Sequence, residues 1–341
     1  MKLVKALLGL LLALCFVMPL SAQKKSLRFH AKPDYYLECQ SEAIFKVVDE
    51  GLDAFPPVVG APLERRLALY NLDGLLHDTR NDNTEAFRGF VTSRVSKLLA
   101  DLEKPLKRGL RIYKIYNEAF VVRTKSATIA FDFSRCRCRG HKDPIVPTEL
   151  AEKIVAKCDA LFLTHYHIDH VDNHIVDLFV KAGKPVVAAP NILPNKVGVT
   201  HRRNEDGIDK FELKLKSGKV LQVSVVAAIH GKVMNNVYVV TTPDKYTVCH
   251  TGDMSGKGNF KWIPTIKDEV AKIDALLVNC WTGSIAKVIP GFDPRYVITG
   301  HENEMGHTID HREAYWLSFT KLANVDYKYV VMAWGEWFSI K

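Results

Sequence analysis

The chain has 341 residues, 47% of them hydrophobic and 25% charged, enough to bury one large core or two modest ones. No low-complexity tract interrupts it, which excludes extensive disorder beyond the ends. The formal charge is +9, from 47 basic and 38 acidic residues. Lys and Arg are scattered, so a solvated basic surface is the simplest reading, ahead of a preference for anionic substrates or a membrane surface.

The first 22 residues stand apart. Lys2 and Lys5 open a segment that is almost continuously apolar from Ala6 to Leu20, and Ser21-Ala22 supplies small residues before Gln23. This is the three-part pattern of a secretory signal peptide, cleaved between Ala22 and Gln23, and it predicts a periplasmic or secreted protein. A retained anchor is the competing reading. Against it, the run falls short of the roughly 20 residues that span a bilayer, and Pro19 interrupts it. Loss of Lys2 and Lys5 with the leader lowers the charge from +9 to +7.

Residues 23–109 read as a helical extension. Asn83-Thr84 supplies a cap, after which Phe87, Phe90, Val91, Val95, Leu98, Leu99 and Leu102 recur at helical spacing. Leu63–Leu76 carries a similar, less regular pattern. Such a stripe suits a helical layer packed on a main domain, and it equally suits a lid over an active site.

From residue 110 to the end, short β-branched and aromatic runs predict strands over 111–123, 128–133, Ala160–Leu163, 186–189, 220–228, 236–242, 246–249, 275–278 and 296–299, with a helix over 149–157. Strands interspersed with helices predict an α/β domain of sheets flanked by helices. Of seven cysteines, six lie beyond the leader. Cys158, Cys249 and Cys280 sit in or beside apolar runs and read as packing residues. Cys136 and Cys138 lie in the polar Ser134-Arg-Cys-Arg-Cys-Arg139 turn, where one of them is a candidate disulfide partner for Cys39.

The densest chemistry begins where Ala160–Leu163 ends. In Thr164-His165-Tyr166-His167-Ile168-Asp169-His170, three histidines and an aspartate fall within six residues. Imidazole suits Zn, Fe, Mn or Ni, and a carboxylate adds the negative charge that holds a divalent ion. Along extended chain His165 and His167 point the same way, and Asp169 and His170 then turn toward a second ion. Four further groups each follow the end of an apolar strand: Asp132, His230, Asp253 and His301. Loops at strand ends are where layered sheet proteins place their sites.

The order Asp132, His165-x-His167-x-Asp169-His170, His230, Asp253, His301 resembles the metallo-β-lactamase-fold hydrolase superfamily over residues 110–310. The resemblance implies an αββα sandwich with an N-terminal helical extension, and two divalent metal ions, zinc first and iron or manganese as alternatives. It implies that His165, His167 and His230 hold one ion, that Asp169, His170 and His301 hold the other, and that Asp253 bridges. Asp132 would orient a ligand histidine from behind. His at position 230, with Asp169 and Asp253, departs from the zinc β-lactamases, so antibiotic hydrolysis is disfavoured. The Thr-Gly-Asp and Thr-Gly-His strand endings are more similar to the branch containing L-ascorbate 6-phosphate lactonase and N-acyl phosphatidylethanolamine phospholipase D. A flavo-diiron reductase would need a flavin domain, and export disfavours an RNA-processing nuclease.

The functional expectation is an exported metal-dependent hydrolase acting on a phosphoester, phosphodiester or lactone. Its partner would be a small-molecule or lipid-like ester, anionic in the leading case and presented in solution or at a membrane surface, with no nucleic acid. The competing class is a noncatalytic metal-binding protein or receptor with the same fold. Asp132, Asp169 and His307 are the candidate catalytic residues. In His301-Glu-Asn-Glu-Met-Gly-His307 a turn through Met305-Gly306 would bring Glu304 and His307 to the same mouth. There His307 could donate a proton to a leaving group or bind an anion. The competing reading is a structural loop.

Overall fold

The computed structural model describes residues 28–282 and 285–341; the leader expected over residues 1–22 lies outside them. The chain divides into two compact units, residues 1–40 and 41–341. In the first, Phe29 packs its ring against Tyr35 and Tyr36 beside the start of the helix Pro33–Ala54. Among the described residues no helix is long and apolar enough to cross a membrane.

The second unit is built on two seven-stranded sheets. The first contains β1 (Leu110–Tyr116), β2 (Ala119–Arg123), β3 (Thr128–Phe131), β4 (Ala160–Leu163), β5 (Val186–Ala188), β6 (Val199–His201) and β14 (Glu336–Ile340), in the order β14-β1-β2-β3-β4-β5-β6. The second contains β7 (Ile208–Lys214), β8 (Val220–His230), β9 (Val233–Thr241), β10 (Thr247–His250), β11 (Ala275–Asn279), β12 (Tyr296–Gly300) and β13 (Tyr329–Val330), in the order β13-β12-β11-β10-β9-β8-β7.

Alternation along the strands gives each sheet two buried faces. Phe120, Val122, Phe131 and Phe162 of the first sheet form one core with Val225, Tyr238, Val240 and Leu277 of the second. The intervening residues, such as Tyr113, Val121, Leu161 and Leu163, face the helices and join a second core. That core includes the whole predicted stripe from Phe87 to Leu102. The stripe's helix, Glu85–Leu102, is capped by Thr84, whose hydroxyl accepts from Phe87 N at 3.2 Å. It packs against β1, β14 and the helix Thr148–Lys157. This is the packed layer, and within the second unit the stripe is closed off by core contacts.

Several strands differ from the sequence reading. Residues 111–123 form a hairpin broken at Asn117-Glu118. β8 runs two residues past the expected end, so His230 is its last strand residue and pairs with Val233. Cys136 and Cys138 are buried at 7% and 1% exposure, although their surroundings in sequence are polar. They and Cys39 are free thiols.

The topology places many strand ends on one edge. β3, β4 and β5 run parallel, as do β10, β11 and β12. β1 lies two antiparallel steps from β3, and β8 two from β10. The C-terminal ends of β1, β3, β4, β8, β10, β11 and β12 therefore each fall on one side of their sheet.

Candidate metal centre

Residues following those ends meet in a buried cluster. Asp132, just beyond β3, adopts φ 43° and is fully buried. Its carboxylate accepts from Thr164 N at 2.8 Å and Thr164 Oγ1 at 2.6 Å. It also bonds His170 Nδ1 at 2.8 Å and His250 Nε2 at 3.0 Å. Burial opposes its ionisation, but the charges and hydrogen bonds of His170 and His250 outweigh that and hold its pKa well below the usual carboxylate range. With Nδ1 tied to Asp132, His170 turns Nε2 toward the other acids.

Two donor sets result. Asp169, His170, Asp253 and His301 form one, and His165, His167 and Asp253 the other, the ligand atoms of each lying within 4.8 Å of one another. Asp253 belongs to both. Its Oδ2 lies 3.3 Å from His170 Nε2, 3.4 Å from His301 Nε2 and 3.7 Å from His165 Nε2. Asp169 Oδ2 lies 3.2 Å from both His170 Nε2 and His301 Nε2. His165 Nε2 is 3.0 Å from His167 Nδ1. Gly252 permits the turn that delivers Asp253. Its φ is 52°, and a Cβ there would lie 2.5 Å from Thr164 Oγ1.

The acids of the cluster are held ionised. Burial favours neutral carboxyls at Asp169 and Asp253, yet the neighbouring His170 and His301 hold both well below the usual range. The same two histidines are raised well above the ordinary imidazole value, because Asp253 and Asp169 outweigh the burial penalty. Burial and the charge of His170 push His165 down to about 3. His170 Nε2 sits at ion-pair distance from two carboxylates without hydrogen-bond geometry to either, and His301 Nδ1 is buried without a partner. Nitrogen and carboxylate donors so crowded, with polar atoms left unsatisfied, fit a divalent metal.

The remaining candidates are near but distinct. The His230 ring centroid is 5.5 Å from that of His165 and 5.3 Å from that of His167, and its Nδ1 bonds Ser255 Oγ at 2.9 Å. It stands beside the second set and is not part of it. His307 donates from Nδ1 to His311 O at 3.2 Å, its ring 5.7 Å from that of His301. Burial, then the charge of His301, lowers its pKa. Asp169, Glu304 and His307 all line a cavity of about 410 Å³, with Ser134, Cys136 and Ile168 on its other walls. Cys136 Sγ lies 3.5 Å from Asp169 O, a contact to backbone and not to the donor sets.

Sequence reasoning missed three polar residues. His250 ends β10 and bonds Asp132. Asn117, in the β1–β2 turn, donates from Nδ2 to Asp169 Oδ2 at 3.1 Å, and its carbonyl accepts from His301 N at 3.3 Å. Asn279 ends β11 and donates from Nδ2 to Asp253 Oδ1 at 2.5 Å. Their shared signal is position: each is a polar residue where an apolar strand stops.

No protein-family model matches the sequence, and comparison with curated proteins finds no match. Solved structures do share the architecture. One is Igni18, a metallo hydrolase from the archaeon Ignicoccus hospitalis, with TM-score 0.51 and 18% identity over 68% of this chain and 98% of that one. Another, described as a possible metal-dependent hydrolase from Veillonella parvula, has TM-score 0.50 and 14% identity over 68% of this chain and all of that one, 100%. At these identities the likeness is one of fold. With two mixed seven-stranded sheets layered between helices, the chain has the αββα fold of the metallo-β-lactamase-like metallo hydrolases.

Proposed function

We propose that the protein is an exported hydrolase that uses two divalent metal ions, zinc in the first instance, on a phosphoester, phosphodiester or lactone. The observation that carries the reading is Asp253, one buried carboxylate common to two compact donor sets. Asp169, His170 and His301 would complete one site, and His165, His167 and the adjacent His230 the other. Two divalent ions held there would supply acidification of water near neutral pH and counter-charge for a developing oxyanion. The chain's own residues do the rest. Asp132 fixes the tautomer and orientation of His170 by accepting from its Nδ1. The cavity beside Asp169 has room for a small ester. The excess of basic residues and the resemblance to the phospholipase and lactonase branch support an anionic substrate.

The test is elemental analysis of the purified mature protein. It is followed by turnover of bis(p-nitrophenyl) phosphate, p-nitrophenyl phosphate and γ-butyrolactone before chelation, after it, and after metal add-back. Turnover that vanishes on chelation and returns with metal supports the reading. Bound metal with no turnover on any arm favours a binding protein with this fold.

Two further outcomes are expected. N-terminal sequencing of the exported product should begin at Gln23; a cytoplasmic product that keeps Met1 would remove the export assignment. The second concerns His307, which lines the cavity but belongs to neither donor set. His307→Ala should lower kcat by about 100-fold, the low end of what a positioned proton-transfer group contributes, with metal content unchanged. His301→Ala should lose metal as well as turnover. Compared at matched metal occupancy, a kinetically silent His307→Ala across pH would make that loop structural.

A further inference from the structure

Asn279 occupies the last position of β11 and is 3% exposed. Its amide orientation is fixed from behind. Oδ1 accepts from the backbone N–H of Trp281 at 2.6 Å, so Nδ2 must face the other way, where it donates to Asp253 Oδ1 at 2.5 Å. The opposite oxygen of that carboxylate, Oδ2, is the one that faces His165, His170 and His301. We infer that Asn279 is a positioning residue for metal binding: it occupies Asp253 Oδ1 and so commits Oδ2 to serve both donor sets.

The chemistry of the donor explains the choice of residue. A Lys or Arg at this place would hold the carboxylate equally well, but its charge would compete with the cations that the aspartate must attract. An amide donates a hydrogen bond and leaves the negative charge intact. Asn117 provides an internal comparison, since its Nδ2 donates to Asp169 Oδ2 at 3.1 Å. Asp169 belongs to one donor set only, whereas Asp253 belongs to both. The two amides should therefore differ in how many ions they influence.

The inference rests on the two-ion reading, and the experiment separates the two. Chelator-treated wild type, Asn279→Ala, Asn279→Asp and Asn117→Ala are titrated with Zn²⁺ against a chromophoric chelator, and each metal-free protein is also unfolded in urea. Outer partners of metal ligands typically contribute about 10- to 100-fold in affinity. Asn279→Ala should weaken both equivalents of Zn²⁺ by that order, and Asn117→Ala only one. Asn279→Asp keeps the acceptor for Trp281 N and the side-chain size, but has no amide hydrogen and adds a negative charge. If charge alone mattered it would bind Zn²⁺ more tightly; a positioning role requires weaker binding. Should Asn279→Ala fail the urea control, Asn279→Asp decides. Wild-type affinity in Asn279→Ala, or tighter binding in Asn279→Asp, overturns the inference. A wild type that holds one Zn²⁺ overturns the two-ion reading instead, and the Asn279 variants must then weaken that single ion.

Discussion

Asp253→Ala should lose metal-dependent turnover by about 10³-fold or more, which corresponds to about 4 kcal/mol of transition-state stabilisation. It should also retain less metal in both sites. Asp253 is nearly fully buried and places one oxygen within 3.7 Å of three imidazole nitrogens. Truncation removes the shared acid and leaves Asn279 Nδ2 facing a void. Circular dichroism and urea unfolding establish that the variant folds; elemental analysis and turnover then read the effect. Two bound ions with wild-type turnover would end the assignment of Asp253 as a shared ligand.

Glu336→Ala should cost about 3–5 kcal/mol of stability, the usual consequence of stripping one partner from a buried ion pair. Arg65 and Glu336 are 0% and 1% exposed. Their guanidinium and carboxylate meet in two parallel bonds of 2.5 and 3.0 Å. Arg94 Nη2 lies 3.5 Å from the same carboxylate, and Ala333 N donates to it at 2.7 Å. Loss of Glu336 thus strands the buried Arg65 and a backbone N–H, and takes from Arg94 one of three carboxylates, leaving it Asp49 and Asp53. The double variant Arg65→Met/Glu336→Leu should recover much of the loss, because an apolar pair leaves no uncompensated charge. Urea unfolding of the metal-free proteins measures both. A loss below 1 kcal/mol in Glu336→Ala would mean that water or Asp49, which also pairs with Arg94, replaces the missing carboxylate.

What could be read from the sequence follows a physical divide. β4 was legible because Ala160–Leu163 is apolar at every position, as a strand buried on both faces must be. The Phe87–Leu102 stripe was legible because a helix with one buried face repeats its apolar residues. The His165–His170 cluster was legible because one short segment carries most of it. β7 was not, since Ile208–Lys214 alternates with charged residues at a sheet edge. β14 was not, because its Glu336 is polar yet buried by a partner, Arg65, 271 positions away. His250, Asn117 and Asn279 share that difficulty. A lone polar residue acquires its role from a carboxylate in a distant loop, and nothing local announces it. Cys136 and Cys138 misled in the opposite direction: arginines surround them in sequence, while the backbone turns both thiols inward.

The pairing of β1 with β14 also bears on how the chain reaches its native state. Leu110 aligns with Ile340, and Lys114 with Glu336, so the first sheet gains this edge strand only when a segment more than 200 residues away in sequence docks. β1 meanwhile has a local hairpin partner in β2. Early hairpin formation followed by late docking of the C-terminal strand is the order that loop-closure entropy favours. Until that strand docks, Arg65 and Arg94 lack their shared carboxylate and one side of β1 remains unpaired.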